Sequence, residues 1–317
     1  MPEISVIICT RNPREDHLKR VLDALQRQTL PLEQWELLLV SVAADGPLSD
    51  HFDLSWHPNA RFILEEKIGL THGRLRGISE SRAELLVFVD DDNVLRADYL
   101  AACLKISGEY QWLGAWGGSC LPEFEMEPPA ELRPWLAGLL IEKRTEMVWA
   151  KLRVGGPALP PGAGMVVRKK QAQYYQEQTL NDPVRLSLGP HSKPPRGGDD
   201  SDLALCGFDL GLGTGMFPDL ELTHLIPARK LTLNFLENLY ESFSYGSTVL
   251  SAVYDKPQPF PGQIQTGVLR ILLLQILMLA MGKSRAERRI RIAKEKGGLR
   301  AQRDLKRLNY RRPPTTR

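Results

Sequence analysis

The first hundred residues alternate apolar runs with segments that have the hydrophobic spacing of helices. Four runs have the length of β-strands: residues 4–10, 35–42, 61–66 and 84–90. Leucines and a valine recur on one helix face between residues 18 and 25, and residues 71–83 predict a second helix. Near-continuous apolar strands separated by helices indicate a parallel sheet covered on both faces, whose ligands bind beyond the carboxyl ends of the strands.

Beyond about residue 97 the pattern is less regular. We predict a helix near residues 98–108, a strand at 162–170, a helix that begins at 199 and a helix-rich region over 231–254. Residues 111–122 are rich in Trp and Gly, and no element follows from their pattern. The loop over 188–198 is rich in Gly and Pro; it contains His191 and is either a lid over a ligand or an ordinary exposed loop.

Charge is unevenly distributed along the chain. Residues 283–317 carry 14 Lys or Arg against 3 Asp or Glu, whereas the whole chain has a net charge of only +3. The preceding run, residues 268–282, is apolar but too short to cross a bilayer. Two interpretations stay open: a buried helix followed by a solvated basic helix, or attachment of residues 268–317 to an anionic membrane surface. Homo-oligomer contacts through residues 269–281 are a further alternative.

Composition narrows the setting. With 317 residues and 43% hydrophobic residues, the chain can form one large α/β domain or two smaller ones. The four cysteines are far apart and lack the spacing of a metal site, which is typical of reduced thiols in the cytoplasm. No basic and apolar leader precedes the first strand. We therefore expect no secretion signal and a cytoplasmic location, with peripheral attachment to the inner membrane face left open.

The last of the four predicted strands runs directly into Asp90, Asp91 and Asp92. Successive side chains of an extended segment alternate, so Asp90 and Asp92 share one side while Asp91 points away or caps the segment that follows. Two carboxylates at a strand end suit Mg²⁺ or Mn²⁺ that shares its other positions with water and a diphosphate. The alternative is an acidic turn that caps the next helix.

A second acidic cluster, GGDDSDL, covers residues 197–203. Its glycines let the backbone approach a ligand closely, and a carboxylate at the start of a helix is held by the helix N-terminus. Such a carboxylate can serve as a general base. For Asp199 and Asp202, capping of the helix is an equal alternative to a chemical role.

Five segments, in this order, resemble the family 2 glycosyltransferases of the GT-A fold: SVIICTRN, GLTHGRLRGISESRAELLVFVDDDN, GAGMVVRK, GGDDSDL and FPDLELTHLIPARKL. The resemblance covers about residues 3–235. It implies an α/β, Rossmann-like domain with a mostly parallel central sheet flanked by helices, in which residues 1–96 form the donor half and 97–235 the acceptor half. Residues 236–317 are then a helical, basic C-terminal extension.

The resemblance also implies an inverting transfer of a sugar from a nucleotide-diphosphate donor to an acceptor hydroxyl. It assigns donor contacts to Thr10, Asn12, Asp45, Arg74, Asp90 and Asp91. It assigns the ligands of a divalent cation, Mn²⁺ or Mg²⁺, to Asp90, Asp92 and His224. Relatives carry aspartates after the second strand where this chain has Ser41 and Val42, and Asp45 follows a few places later. That departure leaves the base open between uracil, guanine and thymine, with a UDP-sugar as the expected donor.

The catalytic base and the acceptor contacts come from the later segments. Asp200 matches the aspartate that acts as general base in the family. Gly164, Asp199 and Trp116 are assigned to the acceptor, which is a glycan, a lipid-linked compound or another molecule with a hydroxyl group. Trp116 is included because a flat indole face complements the C–H face of a pyranose, with packing in the core as the alternative.

Two other functions stay open. The run VFVDDDNV also fits the haloacid-dehalogenase phosphatases, in which Asp90 would be a nucleophile that forms an aspartyl-phosphate. That motif usually opens its domain, whereas here a long stretch of strands and helices precedes it. The second alternative is a non-catalytic, membrane-docked scaffold, in which the aspartates are dispensable. No nucleic-acid partner is expected.

Overall fold

The computed structural model describes residues 1–153, 156–189, 196–254 and 267–310, with the side chains of 267–270 left undescribed. His191 and most of its predicted lid lie outside the described residues, as does the end of the basic tail. The chain divides into two compact units. The first comprises Met1–Glu125, Leu139–Asn181 and Asp200–Ile226, and the second comprises Met126–Gly138, Asp182–Asp199 and Pro227–Arg317. The domain boundary predicted at residue 235 stays a prediction.

Strands and helices alternate through most of the first unit. The strands are β1 (Ile4–Thr10), β2 (Trp35–Val42), β3 (Ala60–Glu65), β4 (Leu85–Val89), β5 (Asn93–Leu95), β6 (Leu113–Phe124), β7 (Val148–Ala150), β8 (Met165–Arg168) and β9 (Gly213–Ile226). The helices are α1 (Glu15–Gln26), α2 (Leu70–Glu80), α3 (Tyr99–Glu109), α4 (Lys169–Leu180), α5 (Pro183–Leu186), α6 (Asp199–Leu205), α7 (Leu233–Val253), α8 (Gly267–Ala280) and α9 (Arg285–Arg307). The elements predicted before residue 109 are all present, with ends that differ by a few residues at most.

In the described part of the chain, nine strands form one sheet in the order β3-β2-β1-β4-β8-β6-β9-β5, and β7 pairs with β9. The first four pair in parallel. β8 is antiparallel to β4 and β6, β9 is parallel to β6, and β5 and β7 are antiparallel to β9. Most of the strands therefore share one direction. This confirms the expected α/β class, with a mostly parallel sheet flanked by helices and helices at the C-terminal end.

The centre of the sheet is buried on both faces. All of β2 is buried, and Cys9 is the one residue of β1 that is partly exposed. One face of β1 joins the main core with Ile4, Val6 and Ile8, and the apolar stripe of α1 packs into the same core. The near-continuous hydrophobicity of these strands is thus the result of two covered faces.

Helix α2 approaches the opposite face of the sheet unusually closely, because it presents glycine there. A Cβ atom on Gly77 would lie 2.5 Å from Cγ2 of Ile7 on β1. A Cβ atom on Gly73 would lie 2.6 Å from Cγ2 of Val42 on β2. Both distances are far below van der Waals contact, so only glycine permits this spacing between helix and sheet.

Strands β6 and β9 were not predicted from the pattern of the sequence, and glycine explains why. β6 contains several glycines, which weaken a strand signal. A Cβ atom on Gly118 would lie 2.0 Å from the carbonyl oxygen of Leu220 on β9. The β6–β9 register shifts at that point, between Gly118 and Ser119. The glycine therefore marks a close backbone approach at a bulge.

The second unit is built on the contact between α7 and α9. Helix α9 buries a stripe of small and apolar residues: Ala286, Ile290, Ala293, Gly297 and Ala301. A Cβ atom on Gly297 would lie 2.1 Å from the carbonyl oxygen of Glu241 on α7, so the two helices cross in close contact at this glycine. Arg300 forms an ion pair with Glu241 at 2.6 Å beside the crossing.

The apolar helix α8 is not buried, which contradicts one of the two interpretations of its sequence. Met278 is 3% exposed, but Ile276 is 64% exposed and several other large apolar side chains are exposed as well. Among the described residues, no helix combines the length and the hydrophobicity needed to cross a membrane.

Because α2 lies so close to β1, adding a single methyl group at Gly77 should reduce the stability of the protein. In Gly77→Ala, we expect the free energy of unfolding to fall by roughly 1–2 kcal/mol, because overpacking of a core outweighs the helix propensity gained. Urea denaturation measures this change.

Gly108→Ala is the matched control, since Gly108 lies on α3 with no atom within 4 Å of its added Cβ. This variant should be as stable as the parent protein or more stable by about 0.5–1 kcal/mol. Equal stability of the two variants would show that α2 does not depend on its glycine.

Candidate active site

The acidic turn after β4 is held together by Asn93, whose side chain is fully buried. Its Oδ1 accepts a hydrogen bond from the backbone N–H of Asp90 at 3.3 Å, and its Nδ2 donates to Oδ1 of Asp92 at 3.2 Å. The backbone N–H of Asn93 donates to the carbonyl oxygen of Asp90 at 3.1 Å. Asn93 thereby orients the carboxylate of Asp92 and fixes the backbone of Asp90. It was not singled out from the sequence, although asparagine often bonds to neighbouring backbone in turns.

The carboxylates of the turn interact strongly with each other. Burial is the largest cause that raises the pKa of Asp90, and together with the charges of Asp92 and Asp91 it brings that pKa to about 6. The positive charge of Arg74 opposes the shift, and His224 opposes it more weakly. The turn is therefore a region of concentrated negative charge that favours a bound cation.

Strand β9 brings His224 to Asp92. The pairing of β5 with β9 places Asn93 opposite His224, and Nε2 of His224 lies 3.5 Å from Oδ2 of Asp92. Nδ1 of His224 lies 3.1 Å from the carbonyl oxygen of Leu139. A carbonyl only accepts, so Nδ1 is the donor in this contact and Nε2 is the ring nitrogen on the side of Asp92.

The oxygen atoms of the turn fit a hard divalent cation. Mg²⁺ is usually held by one or two carboxylates, with substrate phosphates and water in its other positions. Asp90 and Asp92 match that mode. In the parts of the chain that the structure describes, no group of three or more His, Cys, Asp or Glu side chains has the arrangement of a complete metal site. The assignment of His224 as a third ligand stays a prediction.

Arg74 is on α2 and its charge acts on Asp90 of the acidic turn. Arg74 is 4% exposed, and the glycines at 73 and 77 on either side of it set how closely its helix approaches the sheet. A Cβ atom on Gly162 would lie 2.8 Å from Nη2 of Arg74 and 3.3 Å from Oδ2 of Asp200. Arg74 and Asp200, which were predicted from segments far apart in sequence, therefore meet at one glycine.

Asp200 is oriented by backbone donors on both of its oxygens. The N–H of Gly162 donates to Oδ2 at 3.1 Å, and the N–H of Ser201 donates to Oδ1 at 2.7 Å. Each carboxylate oxygen has two lone pairs, so these two bonds hold the group in place and leave it able to accept a proton. A fixed, proton-accepting carboxylate is the requirement for a general base.

The loops after β1 and β2 bring together the other residues predicted to contact a donor. Thr10 donates a hydrogen bond from its hydroxyl to the carboxylate of Asp91. Asn12 Nδ2 donates to Oδ2 of Asp45 at 2.6 Å, and the N–H of Asp45 donates to Oδ1 of Asn12 at 3.2 Å. Asn12 has a φ of 50°, in the left-handed region that asparagine adopts more readily than most residues.

The three residues assigned to an acceptor are placed differently. Trp116 is fully buried in the main core, and its ring has no face open to a sugar. This corrects the stacking role considered for it and matches the alternative of core packing. Gly164 has a φ of 69°, and its carbonyl oxygen accepts a hydrogen bond from the hydroxyl of Tyr99 at 2.7 Å. Asp199 is the first residue of α6, is buried, and belongs to the second compact unit.

His17 lies near the acidic turn, although its sequence context had indicated no role. Burial lowers its pKa, while the charges of Asp91 and Asp92 act on it in the opposite direction. His17 is on α1, far from the turn in sequence, so no local spacing could have revealed the proximity. The proximity of His17 to the acidic turn can be recognised only in the folded structure.

Comparison with known proteins shows which family the first part of the chain resembles. Residues 5–117 match the model of Glycosyl transferase family 2. The match covers about a third of the 317-residue chain and is a resemblance of that part to the family 2 glycosyltransferases. The matched part includes Thr10, Arg74 and the acidic turn, whereas Asp200 and His224 lie beyond it.

A curated protein of Bacillus subtilis (strain 168) is also similar to part of the chain. EpsH, which is described as a glycosyltransferase, is 26% identical over 110 residues. These residues are 34% of this chain and 31% of EpsH, so the chain matches only about a third of that relative's length.

The whole fold resembles solved structures. The crystal structure of Staphylococcus aureus TarS residues 1–349 has a TM-score of 0.51 and 12% identity, and the alignment covers 98% of this chain and 93% of that one. A complex of the same TarS fragment with UDP gives a TM-score of 0.50 at 12% identity, with the same coverage. At this identity the likeness concerns the fold, and it extends the GT-A architecture beyond the residues of the family match.

Gly162 offers a test of the geometry around Arg74 and Asp200. In Gly162→Ala, the new methyl group must displace the flexible end of Arg74 and crowd the carboxylate of Asp200. We expect kcat/KM for sugar transfer to fall at least about tenfold, which corresponds to about 1.4 kcal/mol. The unfolding free energy should change by less than about 1 kcal/mol, since a flexible side chain can move.

Gly108→Ala, far along α3, serves again as the control and should transfer at the parental rate. If Gly162→Ala also kept full activity, the placement of Arg74 and Asp200 beside this glycine would have no part in the reaction.

Proposed function

We propose that this protein is an inverting glycosyltransferase that moves a sugar from a nucleotide-diphosphate donor to an acceptor hydroxyl. The observation that carries the proposal is the meeting of Arg74 and Asp200 at Gly162, with Arg74 also acting electrostatically on Asp90. A carboxylate held by backbone hydrogen bonds, a buried cationic side chain and an acidic turn thus occur in one region, and the last two belong to the residues that match the family 2 model. Each has a separate task in this reaction.

The proposed donor is a UDP-sugar. The supporting observation is that TarS, which shares the fold, has been crystallised with UDP. The reciprocal hydrogen bonds between Asn12 and Asp45 connect the two loops at the ends of β1 and β2. Ligands of parallel sheets bind at that edge. We assign these loops, with Thr10 and Asp91, to the nucleoside and diphosphate.

Inversion needs one base. In the proposed reaction, Asp200 takes the proton of the acceptor hydroxyl while the hydroxyl oxygen attacks the anomeric carbon. The bond from that carbon to the diphosphate oxygen breaks on the opposite face, and its electron pair leaves with the nucleoside diphosphate. The two backbone hydrogen bonds to Asp200 keep its carboxylate in a single orientation for this step.

The leaving diphosphate requires positive charge. Arg74 supplies part of it from a buried position, where an ionic interaction is stronger than in water. Asp90 and Asp92 would hold Mn²⁺ or Mg²⁺, which when bound stabilises the negative charge of the diphosphate. No acid is needed to protonate the leaving group. The acceptor is a glycan, a lipid-linked compound or another molecule with a free hydroxyl group.

Removal of the base separates chemistry from binding. In Asp200→Asn, we expect kcat to fall by roughly 10²–10⁴, because the amide cannot accept the proton. The affinity for a nucleoside diphosphate should stay within about twofold, since Asp200 is assigned to the acceptor hydroxyl. Single-turnover transfer and equilibrium binding of UDP measure the two effects.

Asp219→Asn is a matched control at an exposed position outside the site, and it should keep the parental kcat. Full activity of Asp200→Asn would remove this residue from the role of base even though the family assignment stands.

A thermal-shift series tests the donor and the cation. We expect UDP with Mn²⁺ to raise the melting temperature more than GDP or dTDP with Mn²⁺, and more than UDP with EDTA, because a ligand of the folded state stabilises it by mass action. Asp92→Asn should lose the part of the shift that depends on Mn²⁺.

Different results would favour the other two functions. Release of inorganic phosphate from a simple phosphoester, with no sugar donor present, would indicate the phosphatase with Asp90 as nucleophile. The absence of any metal-dependent affinity for a nucleoside diphosphate would indicate a non-catalytic scaffold.

A further inference from the structure

Helix α8 exposes an unusually large apolar surface for a helix with defined neighbours. Six large apolar side chains, on α8 and in the turn that follows it, are 50–64% exposed: Leu272, Leu273, Ile276, Leu277, Leu279 and Met281. Contiguous exposed apolar area of this kind marks an interaction site in soluble domains. Met278 alone among the fully described large side chains of α8 is buried, and it faces the rest of the unit.

The exposed residues form one continuous face. Residues three and four positions apart lie side by side on a helix, and this spacing relates Leu272, Leu273, Ile276 and Leu277. Leu279 and Ala280 continue the same face by a further turn. From residue 271 to 281, the described side chains include no charged group. The face therefore contains no charge that would oppose burial in an apolar medium.

The turn between α8 and α9 is well defined. Gly282 has a φ of 62°, and its N–H donates to the carbonyl oxygen of Leu279 at 3.0 Å. The N–H of Lys283 donates to the carbonyl oxygen of Met278 at 3.0 Å. The hydroxyl of Ser284 then caps α9 by accepting from the N–H of Glu287 at 3.1 Å. The apolar face thus leads through a fixed turn into the most basic part of the chain.

Helix α9 has two sides with different properties. The stripe of small residues on one side packs against α7. Exposed cations recur on another side: Arg285, Lys296, Arg303 and Arg307. Their separations of 11, 7 and 4 residues bring them to one face of an α-helix. A row of cations beside an uncharged apolar helix is complementary to a surface that is apolar inside and anionic outside.

We propose that α8 and α9 together form a docking surface for an anionic phospholipid bilayer. The apolar face of α8 enters the boundary between headgroups and acyl chains, with the helix lying in the plane of the membrane. The cations of α9 interact with the anionic headgroups. An interface between two copies of the chain would bury the apolar face equally well, but it would set two rows of like charges close together, which favours the lipid surface as the occupant.

Flotation with lipid vesicles tests the proposal on the full chain. We expect the protein to float with vesicles of equal parts phosphatidylcholine and phosphatidylglycerol, and much less with phosphatidylcholine alone. Binding should weaken as salt is raised, because the headgroup interaction is screened. In Leu273→Glu/Ile276→Glu, the apparent affinity for the anionic vesicles should fall at least about tenfold, since apolar contact is replaced by charge.

Two further variants make the result specific. Lys296→Glu/Arg303→Glu should also reduce binding to anionic vesicles, and the reduction should disappear at high salt. Leu180→Glu changes a leucine that is 57% exposed at the end of α4, outside this surface, and should bind like the parent protein. Circular dichroism and urea unfolding confirm that each variant is folded, which is expected because all the substituted side chains are exposed.

Three outcomes would overturn the proposal. The parent protein could fail to float with anionic vesicles, which requires no variant to interpret. Leu273→Glu/Ile276→Glu could float as well as the parent. Light scattering could instead show a dimer that this double variant converts to a monomer, with no vesicle binding by either, and the occupant would then be a second copy of the chain. Vesicle binding is measured without a sugar donor, so these outcomes are independent of the proposed transfer reaction.

Discussion

The cost of desolvating Asp90 beside the carboxylates of Asp91 and Asp92 is the constraint around which the first unit is arranged. Thr10 at the end of β1 donates to Asp91, and buried Asn93 donates to the carboxylate of Asp92 and accepts from the backbone N–H of Asp90. Positive charge comes from Arg74 on α2, and β9 adds the imidazole of His224. Burial is nevertheless the largest cause that raises the pKa of Asp90, to about 6, ahead of the charges of Asp92 and Asp91. Residues from four separate elements thus act on the turn, and the turn still favours further positive charge.

The position of α2 links that electrostatic balance to the packing of the fold. Gly73 and Gly77 bring the helix so close to β1 and β2 that Arg74 is buried, where its charge acts at full strength on its neighbours. A longer side chain at either glycine would move the guanidinium outwards along with the helix. The close packing of α2 thus determines where the charge of Arg74 lies, so a change in the packing also changes the electrostatics of the acidic turn.

Much of the donor half could be predicted from sequence because its signals are local. The apolar strands, the spacing on α1 and the acidic turn each reside in one short segment. Other features depend on contacts that no short segment contains. In the later half, β6 was missed because its glycines weaken the strand pattern, and one of them, Gly118, permits a close approach to Leu220. In the donor half, His17 is near the acidic turn although the two are far apart in sequence. For Trp116 the sequence could not decide between two environments, because a tryptophan in a Gly-rich run can face either a sugar or the core; the structure places it in the core. The separate assignments of Arg74 to the donor and of Asp200 to the base came from the family resemblance, and their common position beside Gly162 is visible only in the structure.

The pairing of Asn12 with Asp45 has an evolutionary consequence. The two side chains connect loops that follow β1 and β2, and neither takes part in the hydrogen-bond ladder of the sheet. Loop residues at such an edge can be exchanged while the strands beneath them keep their register. If these loops contact the donor base, as proposed, a lineage can acquire a new nucleotide preference by paired substitutions at the two positions without first passing through an unstable intermediate fold.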